Sequence, residues 1–210
     1  MHCIICKNKS VNIFNIIDNK VYLECPKCYV KFLHKKHYIN FKSEKRHYLK
    51  HENYIHDKNY QKFLSRLYNP LKKKISKLDK GLDFGCGYCP TLAYMIKKDG
   101  FEVDIYDPYF FPNKEIFSKN YNFITCTEVA EHFHNPQKEF MLLNKLIFVS
   151  GWLGIMTCFY SKEICFKNWH YRRDPTHVVF YSAETFEFIA AELGWKCNII
   201  SKDIVLMQKN

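Results

Sequence analysis

From Lys80 to Asp107 the apolar and polar positions fall into a strand, a turn, a helix and a second strand. Gly81 to Phe84 is a short apolar run of the length of a buried strand, and it enters a glycine-spaced turn, Asp83-Phe84-Gly85-Cys86-Gly87. Thr91 to Lys98 has a helical composition, Gly100 supplies its stop, and Glu102 to Tyr106 forms a second strand closing on Asp107. Downstream, the pattern predicts a strand over Asn122 to Thr125, a helix over Gln137 to Phe148 and, after a turn at Gly151, a strand over Trp152 to Phe159. An amphipathic helix from Ala183 to Leu193 stops at Gly194, and Trp195 to Ile200 with Ile204 to Gln208 make a closing hairpin. Upstream, Val11 to Ile17 and Val21 to Glu24 flank Asp18-Asn19-Lys20 as another hairpin. Between these parts, Tyr54 to Leu71 places Tyr60, Phe63, Leu64, Leu67, Tyr68 and Leu71 at helical spacing, with Asp57 as its N-terminal residue. The alternation of strands and helices predicts an α/β fold.

The turn at Gly85 and Gly87 carries chemistry as well as geometry. Glycines there let backbone N–H groups approach a ligand where a Cβ would collide, and the following helix N-terminus offers positive partial charge. An acid at the end of the next strand, here Asp107, is where such folds grip a ribose diol. The stretches LDFGCG and IYD resemble motif I and the ribose acid of class I S-adenosylmethionine (SAM) methyltransferases. A dinucleotide-binding dehydrogenase is the rival, but its third glycine is replaced by Cys89 and Pro90. A second stretch, Thr127-Glu128-Val129-Ala130-Glu131-His132-Phe133, resembles the EVxEH motif after the fourth strand of that family. The resemblance implies a Rossmann-like sheet, SAM as cofactor held by Asp83, Gly85, Gly87, Asp107, Thr127 and Glu128, and His132 on the substrate side as a general base or as a residue that holds its turn in place. Glu131 and His132 are adjacent and cannot share one helix face, so only His132 is assigned to the cavity. The segment PYFFPNKEIFSKNY after Asp107 allows at most a brief helix, so the family's third strand is expected to be missing or vestigial, and Tyr109, Phe110 and Phe111 either stack on adenine or fill the gap.

Between the fifth strand and the last helix lies Asn168-Trp169-His170-Tyr171-Arg172-Arg173-Asp174-Pro175-Thr176-His177, a segment rich in polar groups. From a strand exit it is expected over the acceptor pocket. Tyr171, Arg172 and Arg173 are then candidates to bind substrate, the arginines forking onto a carboxylate or phosphate, and His170 and His177 to handle a proton. The alternative is an ion pair of Asp174 with either arginine that shapes the loop.

Cysteine and charge add an N-terminal module. Cys3, Cys6, Cys25 and Cys28 form two CxxC knuckles separated by 18 residues, the ligand pattern of a zinc ribbon. Four cysteines leave no open coordination position, so the zinc is expected to be structural; a redox CxxC is the weaker reading because two knuckles are present. A third CxxC, Cys86 to Cys89, lies inside the glycine turn, where metal would compete with cofactor. Residues 31–80 hold 15 Lys or Arg against 4 Asp or Glu, and the rest of the chain 17 of each, so the whole net charge of +11 sits in this connector. Such a stretch either draws in a polyanion such as RNA or reflects a Lys-rich composition. Its Tyr38, His47, Tyr48, His51 and Tyr54 are expected to line an active-site lid or simply to pack.

The expected organisation is therefore a zinc ribbon over 1–30, a basic helical connector or lid over 31–80, and a methyltransferase core over 81–210. No apolar run approaches the length of a membrane span and Met1-His2-Cys3 opens no signal peptide, so a cytoplasmic protein without membrane or DNA partners is expected. The acceptor is expected to be a small anionic metabolite or a sugar. RNA held by the ribbon and connector is the alternative, and a catalytically silent SAM-fold protein is a third reading.

Overall fold

A computed structural model describes residues 2–50 and 53–210. The N-terminal hairpin pairs β1 (Asn12–Ile17) with β2 (Lys20–Glu24), and Asp18 and Asn19 take the left-handed conformations that a tight hairpin turn requires. Its sheet continues past residue 30. A short β3 (Lys31–Leu33) adds to β2, and the remainder of the connector holds α1 (Phe41–Tyr48) and α2 (Lys58–Lys72). Asp57 caps α2 by accepting from the amides of Asn59 and Tyr60, so the helix starts four residues later than its apolar spacing predicts and leaves Tyr54 exposed.

The core follows as β4 (Lys80–Phe84), α3 (Thr91–Lys98), β5 (Glu102–Tyr106), β6 (Tyr121–Thr127), α4 (Pro136–Leu146) and β7 (Ile147–Met156). After the four-residue α5 (His170–Arg173) and the two-residue β8 (Val179–Phe180) come α6 (Ala183–Leu193), β9 (Trp195–Ser201) and β10 (Ile204–Lys209). The six-stranded sheet has the order β5-β4-β6-β7-β10-β9, parallel except for β10, which runs antiparallel between β7 and β9. This is an α/β Rossmann-like sheet, and the third strand is absent among the described residues. The cause is local: Asp107 and Phe111 exchange backbone hydrogen bonds, and the Asp107 carboxylate accepts from the amides of Tyr109 and Phe110. The chain therefore reverses at once, makes one 3-10 turn over Lys114–Ser118, and re-enters at β6. β7 begins five residues earlier than the apolar run from Trp152 predicts, because Ile147 already pairs with Tyr121.

The ribbon and the core share one apolar interior. β8, drawn from beyond β7, completes the ribbon's sheet in the order β1-β2-β3-β8. Phe166 packs edge-on against Phe14, Tyr22 and Phe180 at 5.0–5.2 Å. Beside them the buried Arg172 guanidinium donates to Tyr22 Oη at 3.2 Å, to the Lys167 carbonyl at 3.0 Å and to Asp18 at 3.5 Å. Arg172 thus clamps the ribbon to the core instead of reaching for a substrate anion. Replacing Arg172 with Met is expected to cost about 2 kcal/mol, since it strips hydrogen bonds from buried partners, and to lower the melting temperature by roughly 4–8 °C in a chain of this size. An unchanged melting curve would remove the clamp role.

Candidate active site

A cavity of about 520 Å³ opens at the carboxyl ends of β4, β5 and β6, where open parallel sheets bind ligands. Gly85 and Gly87 form its floor. Gly85 has φ +81°, and a Cβ there would stand 2.4 Å from a Val129 methyl; Gly87 has φ +65° and open space above it. Both conformations are cheap only for glycine. The amides of Gly85 and Cys86 donate to the Tyr106 carbonyl, which ties the turn to β5. Asp83 lies under the turn, fully buried, accepting from Thr125 Oγ1 at 2.8 Å and from the Ala93 amide in the first turn of α3; burial pushes its carboxyl up to about 6. It shapes the turn from below and does not line the cavity. Asp107 does line it, and its carboxylate accepts from the Gly87 amide at 3.0 Å as well as from Tyr109 and Phe110. Cys86 and Cys89 also face this space, the Cys86 thiol held neutral by burial.

The connector roofs this end. Asn53 is bonded through both its amide and its carbonyl to Tyr88 Oη. Glu44, which the sequence reading passed over, is buried and accepts from Tyr48 Oη at 2.9 Å and Tyr109 Oη at 2.6 Å, while Phe41 stacks on Tyr109. Of the expected lid residues, Tyr48 lines the cavity, Tyr38 packs on His134, His47 pairs with Asp174, and His51 lies outside the described residues.

Thr127, Glu128, Glu131, His132 and His177 also line this cavity. Thr127 Oγ1 is buried and has no hydrogen-bond partner among the described residues, as expected of a group awaiting a ligand. Glu128 opens into the cavity from a left-handed backbone, φ +52°; the protein around it and then the charge of Glu131 push its carboxyl upward. Glu131 is not turned away, contrary to the expectation from helical spacing. Ala130–His132 is a 3-10 turn, so neighbouring side chains need not diverge as on an α-helix, and both Glu131 and His132 meet His177. Glu131 accepts from Tyr171 Oη at 2.5 Å and from Thr157 Oγ1 at 2.9 Å. Burial lowers the basicity of His177 and keeps its imidazole neutral near pH 7.

A methyltransferase domain family matches residues 55–198, more than half of the chain. The chain belongs to that family. Solved structures agree in fold. A SAM-dependent methyltransferase from Archaeoglobus fulgidus superposes with a TM-score of 0.51 at 20% identity, over 64% of this chain and 68% of that one. Human N-acetylserotonin methyltransferase in complex with SAM gives 0.51 at 10% identity, over 72% and 54%. A methyltransferase of calicheamicin biosynthesis with bound SAH gives 0.50 at 7%, over 70% and 53%. The methyltransferase domain thus spans little more than half the length of the last two. No curated protein matches the sequence.

Of the residues expected to act, the cavity gathers Gly85, Gly87, Asp107, Thr127, Glu128, His132 and His177. It does not gather the polar segment after β7. His170 and Arg173 are exposed, Arg173 donating to the Asn168 carbonyl, and Tyr171 is buried behind Glu131. Asp174 pairs with His47 at 3.0 Å instead of either arginine and accepts from Thr176; these partners outweigh burial and hold its carboxyl down at about 2. The fit to SAM rests on the open space above Gly87, the Asp107 carboxylate beside it and the unpartnered Thr127 hydroxyl. Asp107→Asn keeps an acceptor for the turn while removing the charge; it is expected to weaken SAM at least about tenfold in titration calorimetry, or about 1.4 kcal/mol. Unchanged affinity would take Asp107 out of the cofactor site.

Proposed function

We propose that this chain transfers the methyl group of SAM to a hydroxyl of an uncharged small molecule, and that its cysteine ribbon holds a structural zinc ion. One observation carries the reading: a single cavity holds Gly85, Gly87 and Asp107 together with His132 and His177, and none of its lining residues among those described is Lys or Arg. Five carboxyl side chains, Glu44, Asp107, Glu128, Glu131 and Glu139, line it, so an anionic acceptor would meet repulsion with no cation in the described lining to offset it. This favours a sugar-like hydroxyl compound over the anionic metabolite suggested by Arg172 and Arg173, both of which point elsewhere.

Bound SAM supplies an activated methyl group on a sulfonium, so the protein's work is alignment and exclusion of water. Gly85 and Gly87 leave the backbone open to the cofactor, Asp83 fixes their turn, and Asp107 is placed for ribose hydroxyls. Thr127 and Glu128 add to the cavity wall, and Tyr48, Tyr60, Phe63 and Phe110 line it with ring carbons that keep water out. The acceptor hydroxyl must lose its proton as the new C–O bond forms, and of the described imidazoles that line the cavity those of His132 and His177 are less exposed than that of His134.

The ribbon's donor set supports zinc. Cys3 and Cys28 Sγ lie 3.4 Å apart and Cys6 and Cys25 Sγ 3.5 Å, all four within 4.8 Å of one another. Tetrahedral thiolates at about 2.3 Å from zinc stand roughly 3.8 Å apart, close to this spacing. The Ile5 amide points at Cys3 Sγ and the Asn8 side chain at Cys25 Sγ, as in knuckles that support thiolates. A second reading, RNA as acceptor, is favoured by Lys42, Lys45, Arg46 and Lys50, exposed on and just after the lid helix α1. No helix among the described residues is long and apolar enough to cross a membrane.

Two measurements test these assignments. Labelled methyl from SAM, transferred by the zinc-loaded protein into extract of cells lacking the gene, is expected in an uncharged small-molecule fraction. Label in RNA would make the lid lysines a phosphate clamp, and label in no fraction would sink methyl transfer. Metal analysis is expected to return at least one zinc per chain, one of them lost in Cys25→Ser together with a lower melting temperature; an unchanged zinc content in that variant would overturn the ribbon site.

A further inference from the structure

Glu131, His132 and His177 bring a carboxylate oxygen and two imidazole nitrogens within 4.8 Å of one another at the acceptor end of the cavity. Both imidazoles are fixed in the tautomer that a metal needs. His132 Nδ1 faces the Thr176 carbonyl at 3.1 Å, and His177 Nδ1 faces the Tyr171 carbonyl at 2.7 Å. A carbonyl only accepts, so each Nδ1 carries a hydrogen, and Nε2 is the nitrogen left to reach a metal. Those two Nε2 atoms lie 4.0 and 3.9 Å from the same Oε1 of Glu131.

Glu131 is the group that makes this arrangement incomplete. It is 0% exposed, and the hydroxyls of Tyr171 and Thr157 hold its carboxylate by donating to it. Among the described residues no Lys or Arg nitrogen comes within 4.0 Å of it; its ion-pair neighbours are the two imidazoles. A cation between the three would offset the buried carboxyl group and take both Nε2 atoms as ligands. The scaffold is held independently of any ligand, because the Val178 amide donates to the Glu131 carbonyl at 2.9 Å and Tyr181 Oη to the Ala130 carbonyl at 3.0 Å.

We propose that Glu131, His132 and His177 bind a divalent metal ion, separate from the cysteine ribbon, whose remaining coordination positions open into the cavity to receive the acceptor hydroxyl. Two imidazoles and one carboxylate suit Mn²⁺, Fe²⁺, Co²⁺ or Zn²⁺. Metal bonds of about 2.0–2.2 Å put neighbouring ligand atoms roughly 3.0–3.4 Å apart, so each imidazole closes on Oε1 by roughly 0.5–1.0 Å, within reach of side-chain rotation. A bound cation lowers the pKa of a coordinated hydroxyl, so His132 and His177 would act as ligands and the proton would leave from a metal-bound oxygen to water. That use of the ion rests on the methyl-transfer reading; the binding itself does not.

The test titrates Mn²⁺ alone into the full-length, zinc-loaded protein and reads free Mn²⁺ by electron paramagnetic resonance. The expected result is one saturable Mn²⁺ per chain, with affinity at least tenfold lower in His132→Gln and in His177→Gln, while both variants keep the zinc content and melting curve of the parent. Should either variant fold poorly, the unmodified chain still decides: absence of saturable Mn²⁺ binding overturns the site, as does parent-like affinity in folded variants. Because the readout is metal rather than product, loss of this site leaves the methyl-transfer assay standing, and a failed transfer assay leaves the metal result standing.

Discussion

The main chain of Val178 is the joint on which the rest depends. Its amide donates to the Glu131 carbonyl in the turn after β6, and its carbonyl accepts from the Leu33 amide in β3. One residue therefore couples the ribbon to the acceptor end of the cavity, and the preceding residue, His177, is delivered there as a consequence. Arg172, seven residues before β8, clamps the other side of the same joint through Tyr22. Hydrogen bonds between main-chain groups keep this register even where side chains could repack, so the ribbon works as a buttress for the site as much as a module of its own.

Electrostatics explain the character of the cavity better than any single residue does. Carboxyl groups line it, the cations of the connector stay outside, and aromatic rings fill much of the remaining wall. Glu44 shows how this is arranged. A buried carboxylate on the lid helix draws the hydroxyls of Tyr48 and Tyr109 together, so a charge that would be costly alone becomes the fastener between α1 and the loop after β5.

Much of the fold was legible because its determinants are local. The glycine turn, the Asp57 cap, the hairpins and the Gly194 stop depend on residues within a few positions of one another, and the missing third strand followed from the shortness of the segment after Asp107. The cofactor end was legible for the same reason, since Gly85, Gly87 and Asp107 lie on one strand–turn–helix–strand unit. What escaped is non-local. Nothing near Arg172 in the chain indicates that Tyr22 and Asp18 will be its partners, and nothing near Lys31 indicates that β8 will pair with it. Glu131 was lost to a rule of α-helical spacing applied to a segment that forms a 3-10 turn, a distinction that depends on how β6 exits the sheet.

The origin of β8 also constrains the order in which the molecule can be assembled. The cysteine knuckles and the first three strands leave the ribosome early, but the strand that covers β3 is residues 179–180, made after the four parallel strands β4 to β7 of the core. Until then the backbone groups along β3 form an open edge, and Tyr22 lacks the aromatic cover of Phe166 and Phe180. A growing chain must therefore carry an unfinished ribbon through most of its synthesis, and the half-made protein is the form most exposed to edge-to-edge association and to chaperones that recognise bare strands.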